Sequence, residues 1–458
     1  MSVVFTSSNV LLPGSTHPAA ATIEVDLASR KIVAVHDDVL TRSDYPHISD
    51  ERWFDAEDKW ILPGLVDAHV HLNEPGRTDW EGFWTGTKAA ISGGVTTVVD
   101  MPLNSIPPTT TVENLEAKRS AAHGQCWTDV AFWGGIIPGN ESDLRPMLES
   151  GVKGFKCFLI ESGVEEFPCV TEQHVSLAME QLQDNSAVIL FHAELDDQPL
   201  STSPSDSDPT QYSTFLHSRP EKLEIDAIEL IISLSRRYPK LRCHIVHLSA
   251  ASALPIIRAA KTAGVQLTVE TCFHYLTLAA DDIPHGHPEF KCCPPIRGAE
   301  NRDLLWSALL DGTIDCIVSD HSPCVAELKQ LDDGDLMNAW GGISALGMGL
   351  SLLWTEARKR GVGFHKIVEW MSTKTAEHAS LADRKGAIRF GYDADFVFWD
   401  PDAEFTVTKE TIHFKNKLSP YEGMKLHGRV EKTFLGGRLA WDRTSNGFDD
   451  LEPAGQLL

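Results

Sequence analysis

Short apolar runs recur through the middle of the chain, each followed by a polar loop and a stretch with helical periodicity. Eight stand out: residues 61–72, 96–101, 129–134, 154–160, 187–193, 242–248, 266–271 and 314–319. Several are near-continuous in Val, Ile, Phe and Leu, the pattern of parallel strands covered on both faces. Helices are predicted between them at 81–92, stopped by Gly93-Gly94, and at 301–310, followed by Gly312. A third, 226–238, carries Ile228, Ile231, Ile232 and Ser235 along one side. Eight strand–helix repeats predict an α/β fold, a (β/α)8 TIM-like barrel with its working surface at the C-terminal ends of the strands.

The two ends of the chain read differently. Residues 1–57 alternate short apolar strands (2–5, 9–12, 22–26, 31–36) with turns, as a small antiparallel unit does. Two helical stretches, 350–359 and 365–379, follow the barrel, and 386–400 and 430–441 return to β alternation. The terminal segments are predicted to pair into one small β-sandwich domain. That divides the chain into 1–57 with 386–458, and a barrel over 58–385. The strongly polar stretch 201–212, STSPSDSDPTQY, reads as a solvated loop after the fifth strand, at the rim of the working surface.

Charge narrows the partners. Across 458 residues, 40 Lys and Arg stand against 65 Asp and Glu, a net charge of −25. Such a field repels phosphate, which opposes nucleic acid and anionic membrane as partners. No apolar run reaches the length of a membrane-spanning helix. The N-terminus lacks a basic start with a long apolar core, and Gln456-Leu457-Leu458 is not a Ser-Lys-Leu address. Nine cysteines, scattered and partly inside apolar runs, suit reduced thiols, so a cytoplasmic location is expected.

Polar residues placed on the strand ends form a pattern. The first run ends in His69-Val70-His71, and alternate strand positions share a face, so both imidazoles can grip one divalent ion. Lys156 is an odd charge inside GFKCFLI. The fifth run ends in His192, the sixth in His247 and the eighth in Asp320. Singly, each has a plain structural reading: a hydrogen-bonded core histidine, a paired buried lysine, a helix-capping aspartate. All six at one end of a barrel suit a two-metal site of the zinc type. A lysine ammonium cannot bind a cation, but burial favours the neutral amine, which CO2 converts to a carbamate whose oxygens can bridge two ions.

In these residues the chain resembles the cyclic-amidase branch of the metal-dependent amidohydrolase superfamily. That branch contains allantoinases, dihydropyrimidinases or hydantoinases, and dihydroorotases. The long words HLNEPGRTDWEGFWTGTKAAISGGVTTVVDMPLNSIPPTT, FWGGIIPGN, GFKCFLIESGVEEFP, KCCPPIR, SDHSPC and AWGGISALG are similar to those of allantoinases. The resemblance covers nearly the whole chain. It implies hydrolysis of a five-membered cyclic amide, allantoin to allantoate. It also implies His69, His71 and Asp320 on one metal, His192 and His247 on the other, carbamylated Lys156 between them, and Asp320 as general base and then acid. The ions would be zinc, with manganese, cobalt, nickel or iron accepted by the same ligands. A homotetramer is implied by analogy.

Substrate contacts are expected from Arg77 in EPGR, Asn104 in MPLN, His274 in TCFHY and Ser322, with the Gly341-Gly342 turn offering backbone groups. Ser162 lies where dihydropyrimidinases carry an oxyanion-binding tyrosine; residues 157–167 contain no Tyr, which leaves the oxyanion donor open. Two alternatives stay in view: a hydantoinase or dihydropyrimidinase with another pocket, and a non-catalytic relative that keeps the barrel without the metals.

Overall fold

A computed structural model describes residues 1–185, 187–196, 208–445 and 447–458. Eight parallel strands form its centre in chain order. They are Leu65–Val70, Val95–Asp100, Asp129–Phe132 continuing as Gly134–Gly135, Phe155–Phe158, Val188–His192, Arg242–Ile245, Leu267–Cys272 and Cys316–Val318. Neighbours pair in register, for example Asp67 with Val98, Thr97 with Asp129 and Phe158 with His192. The last strand returns to the first through a parallel bridge between Val70 and His321, where the His71 amide donates to the His321 carbonyl at 2.8 Å. The ladders therefore close, and the expected barrel is present.

Burial explains why the runs are so apolar. Every residue of Leu65–Val70, Val95–Asp100 and Val188–His192 is buried. The helix Lys222–Arg237 supplies one outer wall through Ala227, Ile228, Ile231, Leu234 and Ser235, the stripe expected of an amphipathic helix. The other expected helices occupy Phe83–Ser92, Ala299–Leu310 and Gly349–Arg360. The expected helix 365–379 is interrupted: a π-helical turn, Glu369–Thr373, separates Phe364–Val368 from Lys374–His378.

The expected first strand, 61–72, is two strands. Trp60–Pro63 pairs antiparallel with the chain's later half, Leu62 opposite Val397, and Leu65–Val70 belongs to the barrel. The chain changes partners at Gly64, where a Cβ would meet Thr96 Oγ1 at 2.1 Å, so only glycine passes. Trp60–Pro63 joins Ser2–Val10, Ala19–Asp26, Lys31–His36, Trp53–Asp55, Phe396–Thr406, Lys425–Leu435 and Arg438–Asp442 in one mostly antiparallel eight-stranded sheet built from both chain ends. The expected strands 2–5 and 9–12 merge into Ser2–Val10, with a register irregularity after Ser7.

That sheet curls over on itself. Phe5 and Phe434 lie three strands apart, yet their rings are 4.9 Å apart between centroids, with Phe396 at 4.8 Å from Phe5. The curl supplies the two-layered packing expected of a sandwich. The C-terminus reaches back to the barrel's lower end, where the Val130 amide donates to the Gln456 carbonyl and the Leu458 amide to the Val130 carbonyl.

All nine cysteines are unpaired. Among the described residues, no helix is long and apolar enough to cross a membrane. Of the polar loop 201–212, residues 201–207 lie outside the described residues, and its last residue, Tyr212, starts the helix Tyr212–Ser218.

Candidate metal centre

The six residues picked from strand ends converge on one cleft at the C-terminal end of the barrel. It has a volume of about 300 Å³, and its lining includes His69, His71, Lys156, His192, His247 and Asp320. His69 Nε2 lies 3.1 Å from Asp320 Oδ1, and His71 Nε2 lies 3.5 Å from the same oxygen. His192 Nδ1 faces His247 Nε2 at 3.0 Å. His69 and His247 bring the two groups together, their ring centroids 5.4 Å apart. Ligand atoms of His69, His247 and Asp320 all lie within 4.8 Å of one another.

The far sides of these rings are tied down. His69 Nδ1 meets Glu270 Oε1 at 2.5 Å, and His192 Nε2 meets Glu194 Oε2 at 2.7 Å. A ring nitrogen that donates its proton to a carboxylate leaves the opposite nitrogen bare, so His69 Nε2 and His192 Nδ1 both present lone pairs inward. Glu270 also binds His244 Nε2 at 3.0 Å and accepts the His247 amide at 3.3 Å. Arg219 neutralises Glu194. Phe158 stacks on the His192 ring at 4.5 Å and fixes its plane.

The electrostatics favour donors in their metal-binding forms. Burial pushes His71, His192 and, furthest, His247 below the usual imidazole value, so they are neutral at physiological pH. Burial raises the Asp320 carboxyl, but positive charge and N–H donation at the facing His69 and His71 rings outweigh it and hold it at about 2, an effect that a cation between them would reproduce. Lys156 is 1% exposed, and burial pushes its amine down to about 8 against the pull of Asp320 and Glu270. Its only charge-related contact among the described residues is the Phe158 ring, 5.1 Å from Nζ. Buried and without a carboxylate partner, this lysine is an anomaly unless something else completes it.

Several groups here are unsatisfied or strained. His247 Nδ1 and Asn104 Oδ1 are buried without hydrogen-bond partners among the described residues. Asn104, His247 and Asp320 have φ of +69°, +39° and +45°. Left-handed backbone at three polar residues of one cleft costs of order 1–3 kcal/mol each and is the kind of strain that gathers at functional sites. The donor set therefore fits metal: bare imidazole nitrogens, an ionised carboxylate and an easily neutralised amine face a common centre.

The expected substrate contacts divide. Asn104 and Ser322 line the cleft, as do Ser162, Gly341 and Gly342. Asn104 Nδ2 also lies 3.4 Å from His71 Nδ1. A Cβ at Gly342 would meet the Ser322 carbonyl oxygen at 2.3 Å, so the backbone itself forms the wall there. Arg77 does not line the cleft. Its guanidinium donates to the Asn104 carbonyl at 2.8 Å and to Glu166 at 2.5 Å, supporting the Asn104 turn from behind. His274 is fully buried and does not line the cleft, with both ring nitrogens unpartnered among the described residues. Its ligand atom falls within 4.8 Å of those of Cys272 and Asp320.

Sequence reading missed Glu270, Glu194 and Arg219, which orient the histidines, and Lys291 and Trp340, which line the cleft. Glu270 carried a signal, since an acidic residue inside the apolar run LTVETC is as odd as Lys156. Glu194, two residues beyond His192, carried a weaker one.

Residues 60–440 match the Amidohydrolase family. The chain is 46% identical to the allantoinase of Saccharomyces cerevisiae over 455 residues, covering 99% of this chain and 98% of that one. It is 47% identical to the allantoinase of Streptomyces avermitilis over 460 residues, covering 100% and 98%. Among solved structures, the L-hydantoinase (dihydropyrimidinase) from Arthrobacter aurescens superposes with a TM-score of 0.89 at 27% identity, covering 100% of this chain and 98% of that one.

Proposed function

Because this chain belongs to the amidohydrolase family, we propose that it hydrolyses the cyclic amide of allantoin to allantoate. The observation that carries the reading is the convergence of four histidines, Lys156 and Asp320 on one cleft of about 300 Å³, room for a single small ring. The full-length similarity to allantoinases supports the choice of ring.

The same proposal covers the metals. His69, His71 and Asp320 would hold one divalent ion, and His192 and His247 a second. Lys156 would lie between them as a carbamate: neutral Nζ attacks CO2, an N–C bond forms and one N–H proton leaves. Zinc suits these donors, as do manganese, cobalt, nickel and iron. Ions in this position supply water acidic enough to be hydroxide near neutral pH, and a Lewis acid for the amide carbonyl.

The chain's own groups do the rest. Asp320, ionised and 3.1–3.5 Å from His69 and His71, accepts the proton of the attacking water. Hydroxide oxygen adds to the carbonyl carbon, the ring C–N bond breaks, and Asp320 returns the proton to the departing nitrogen. Asn104 offers a carbonyl acceptor and an amide donor to the ureide. Ser322 and the Gly341 N–H, which has no acceptor among the described residues, offer donors for substrate oxygens. Arg77 acts on Asn104 rather than on the substrate.

A cytoplasmic, homotetrameric enzyme, divided into an end-built sheet unit that takes in Trp60–Pro63 and a barrel, completes the proposal. The test is ring opening of allantoin by the purified protein with divalent metal and bicarbonate, beside hydantoin, dihydrouracil and dihydroorotate. Preferential allantoate formation, abolished by chelation, is expected. Opening of hydantoin or dihydrouracil with allantoin untouched would keep the chemistry and overturn the substrate.

A further inference from the structure

Two lysines at one wall of the cleft, Lys291 among its lining residues and Lys329 behind it, have no place in the chemistry above. Lys291 is 7% exposed and Lys329 is 3% exposed. Neither has a carboxylate within ion-pair distance among the described residues; both spend their ammonium protons on backbone carbonyls of one strap. Lys291 Nζ donates to Met337 O at 2.9 Å and Ala339 O at 2.6 Å. Lys329 Nζ donates to Trp340 O at 3.0 Å and to Gly342 O. Four carbonyls within six residues are thus captured by two buried cations.

The main chain repeats the arrangement. The Gly342 amide donates to Lys291 O at 2.9 Å, and the Trp340 amide to Leu328 O at 2.8 Å. The strap is therefore sewn at both edges, to Lys291 just after the turn Pro288–Phe290 and to the turn Ala326–Lys329. Its other side is the cleft, lined by Asn338, Ala339, Trp340, Gly341 and Gly342. In a planar trans peptide the N–H points opposite to the preceding carbonyl. With Trp340 O held by Lys329, the Gly341 N–H is turned away from the lysine.

We propose that Lys291 and Lys329 are positioning residues for substrate binding, clamping the strap Met337–Gly342 so that the Gly341 N–H and Trp340 face the ring. This rests on the cyclic-amide reading of the cleft, but the clamp itself is a property of the fold. A cation that must satisfy carbonyls leaves them unpaired and buried when removed, so the strap should re-orient rather than merely loosen. Lys329 does not line the cleft, and neither lysine bonds to a proposed metal ligand among the described residues, so binding should suffer and the chemical step should not.

The test pairs kinetics with hydrogen exchange on Lys291→Met and Lys329→Met, with Lys329→Arg as the conservative variant. For each methionine variant, KM for allantoin should rise about tenfold while kcat stays within about threefold. Bound metal should be unchanged, and the amides of residues 338–343 should exchange faster. Lys329→Arg, which keeps a cation, should recover part of the KM. An unchanged KM, or a loss of kcat and metal with KM intact, would overturn the proposal. Exchange is read without turnover, so if the protein opens no cyclic amide the clamp is still judged: unchanged exchange at 338–343 in both variants defeats it, whatever the substrate. Should Lys291→Met fail to fold, Lys329→Met carries the same readouts.

Discussion

Two buried lysines, Lys385 at the lower end of the barrel and Lys156 at the upper, behave in opposite ways. At the lower end, Lys385 Nζ contacts Asp129 and Asp395 at 2.6 Å and Asp393 at 3.0 Å, with Arg30, Lys31 and Arg384 adding further pairs. The three aspartates alone have the spacing of a metal site, yet the lysine already occupies their centre. Burial alone would lower the Lys385 amine, but the carboxylates outweigh it and raise its pKa. At the upper end, Lys156 is equally buried, has no carboxylate partner among the described residues and is depressed to about 8. Partnered charge builds architecture; unpartnered charge, beside bare imidazoles and strained backbone, marks a place where chemistry is completed from outside.

The largest effects should separate the two lysines. Lys156→Ala should lower allantoin turnover by at least about a thousandfold, because it removes the proposed bridge while leaving a folded barrel; steady-state kinetics and circular dichroism check both halves. Lys385→Met should do the reverse. Three carboxylates lose their common cation, which costs about 3–5 kcal/mol in urea unfolding, while kcat per folded molecule stays within about twofold. A variant of Lys385 that loses activity without losing stability would break the contrast.

Glu270→Gln should fall between them, with a loss of about 10–100-fold in metal affinity or activity, since the carboxylate orients His69 and His244 without meeting substrate. Competition with a chelator measures it. The smallest effect is one of pH. Lys156 reacts with CO2 only as the neutral amine, and raising pH neutralises it. With pKa about 8, roughly 9% is neutral at pH 7, against about 0.03% for an ordinary lysine. Metal-dependent reactivation of the stripped protein at fixed dissolved CO2 should therefore climb with pH and level off just above 8. A rise that continues past pH 10 would place the amine in an ordinary environment.

Much of this was legible in the chain because parallel strands buried on both faces must be apolar throughout. A lysine or histidine in or ending such a run stands out, and so Lys156, His192, His247 and Asp320 could be placed by pattern. What could not be read depends on partners remote in sequence. Arg77 lies beside the histidine pair in the chain, yet Glu166 and the Asn104 carbonyl draw its guanidinium out of the cleft. His274 follows a barrel strand like the others, but its short helix, Phe273–Thr277, is buried throughout and the ring is not among the cleft's lining residues. The break at Gly64 is silent in hydrophobicity, because both halves of 61–72 are buried, one in each sheet. The π-helical turn inside 365–379 leaves the apolar spacing of its helix nearly unchanged.

If Lys156 joins two ions in one centre, metal content per chain by elemental analysis is the most direct measurement of it. It is best made on wild type and Lys156→Ala reconstituted side by side with bicarbonate, with allantoin turnover read on the same samples. Two ions and turnover in the wild type, with at most one ion and negligible turnover in the variant, are expected. Two tightly held ions and undiminished ring opening without Lys156 would contradict it.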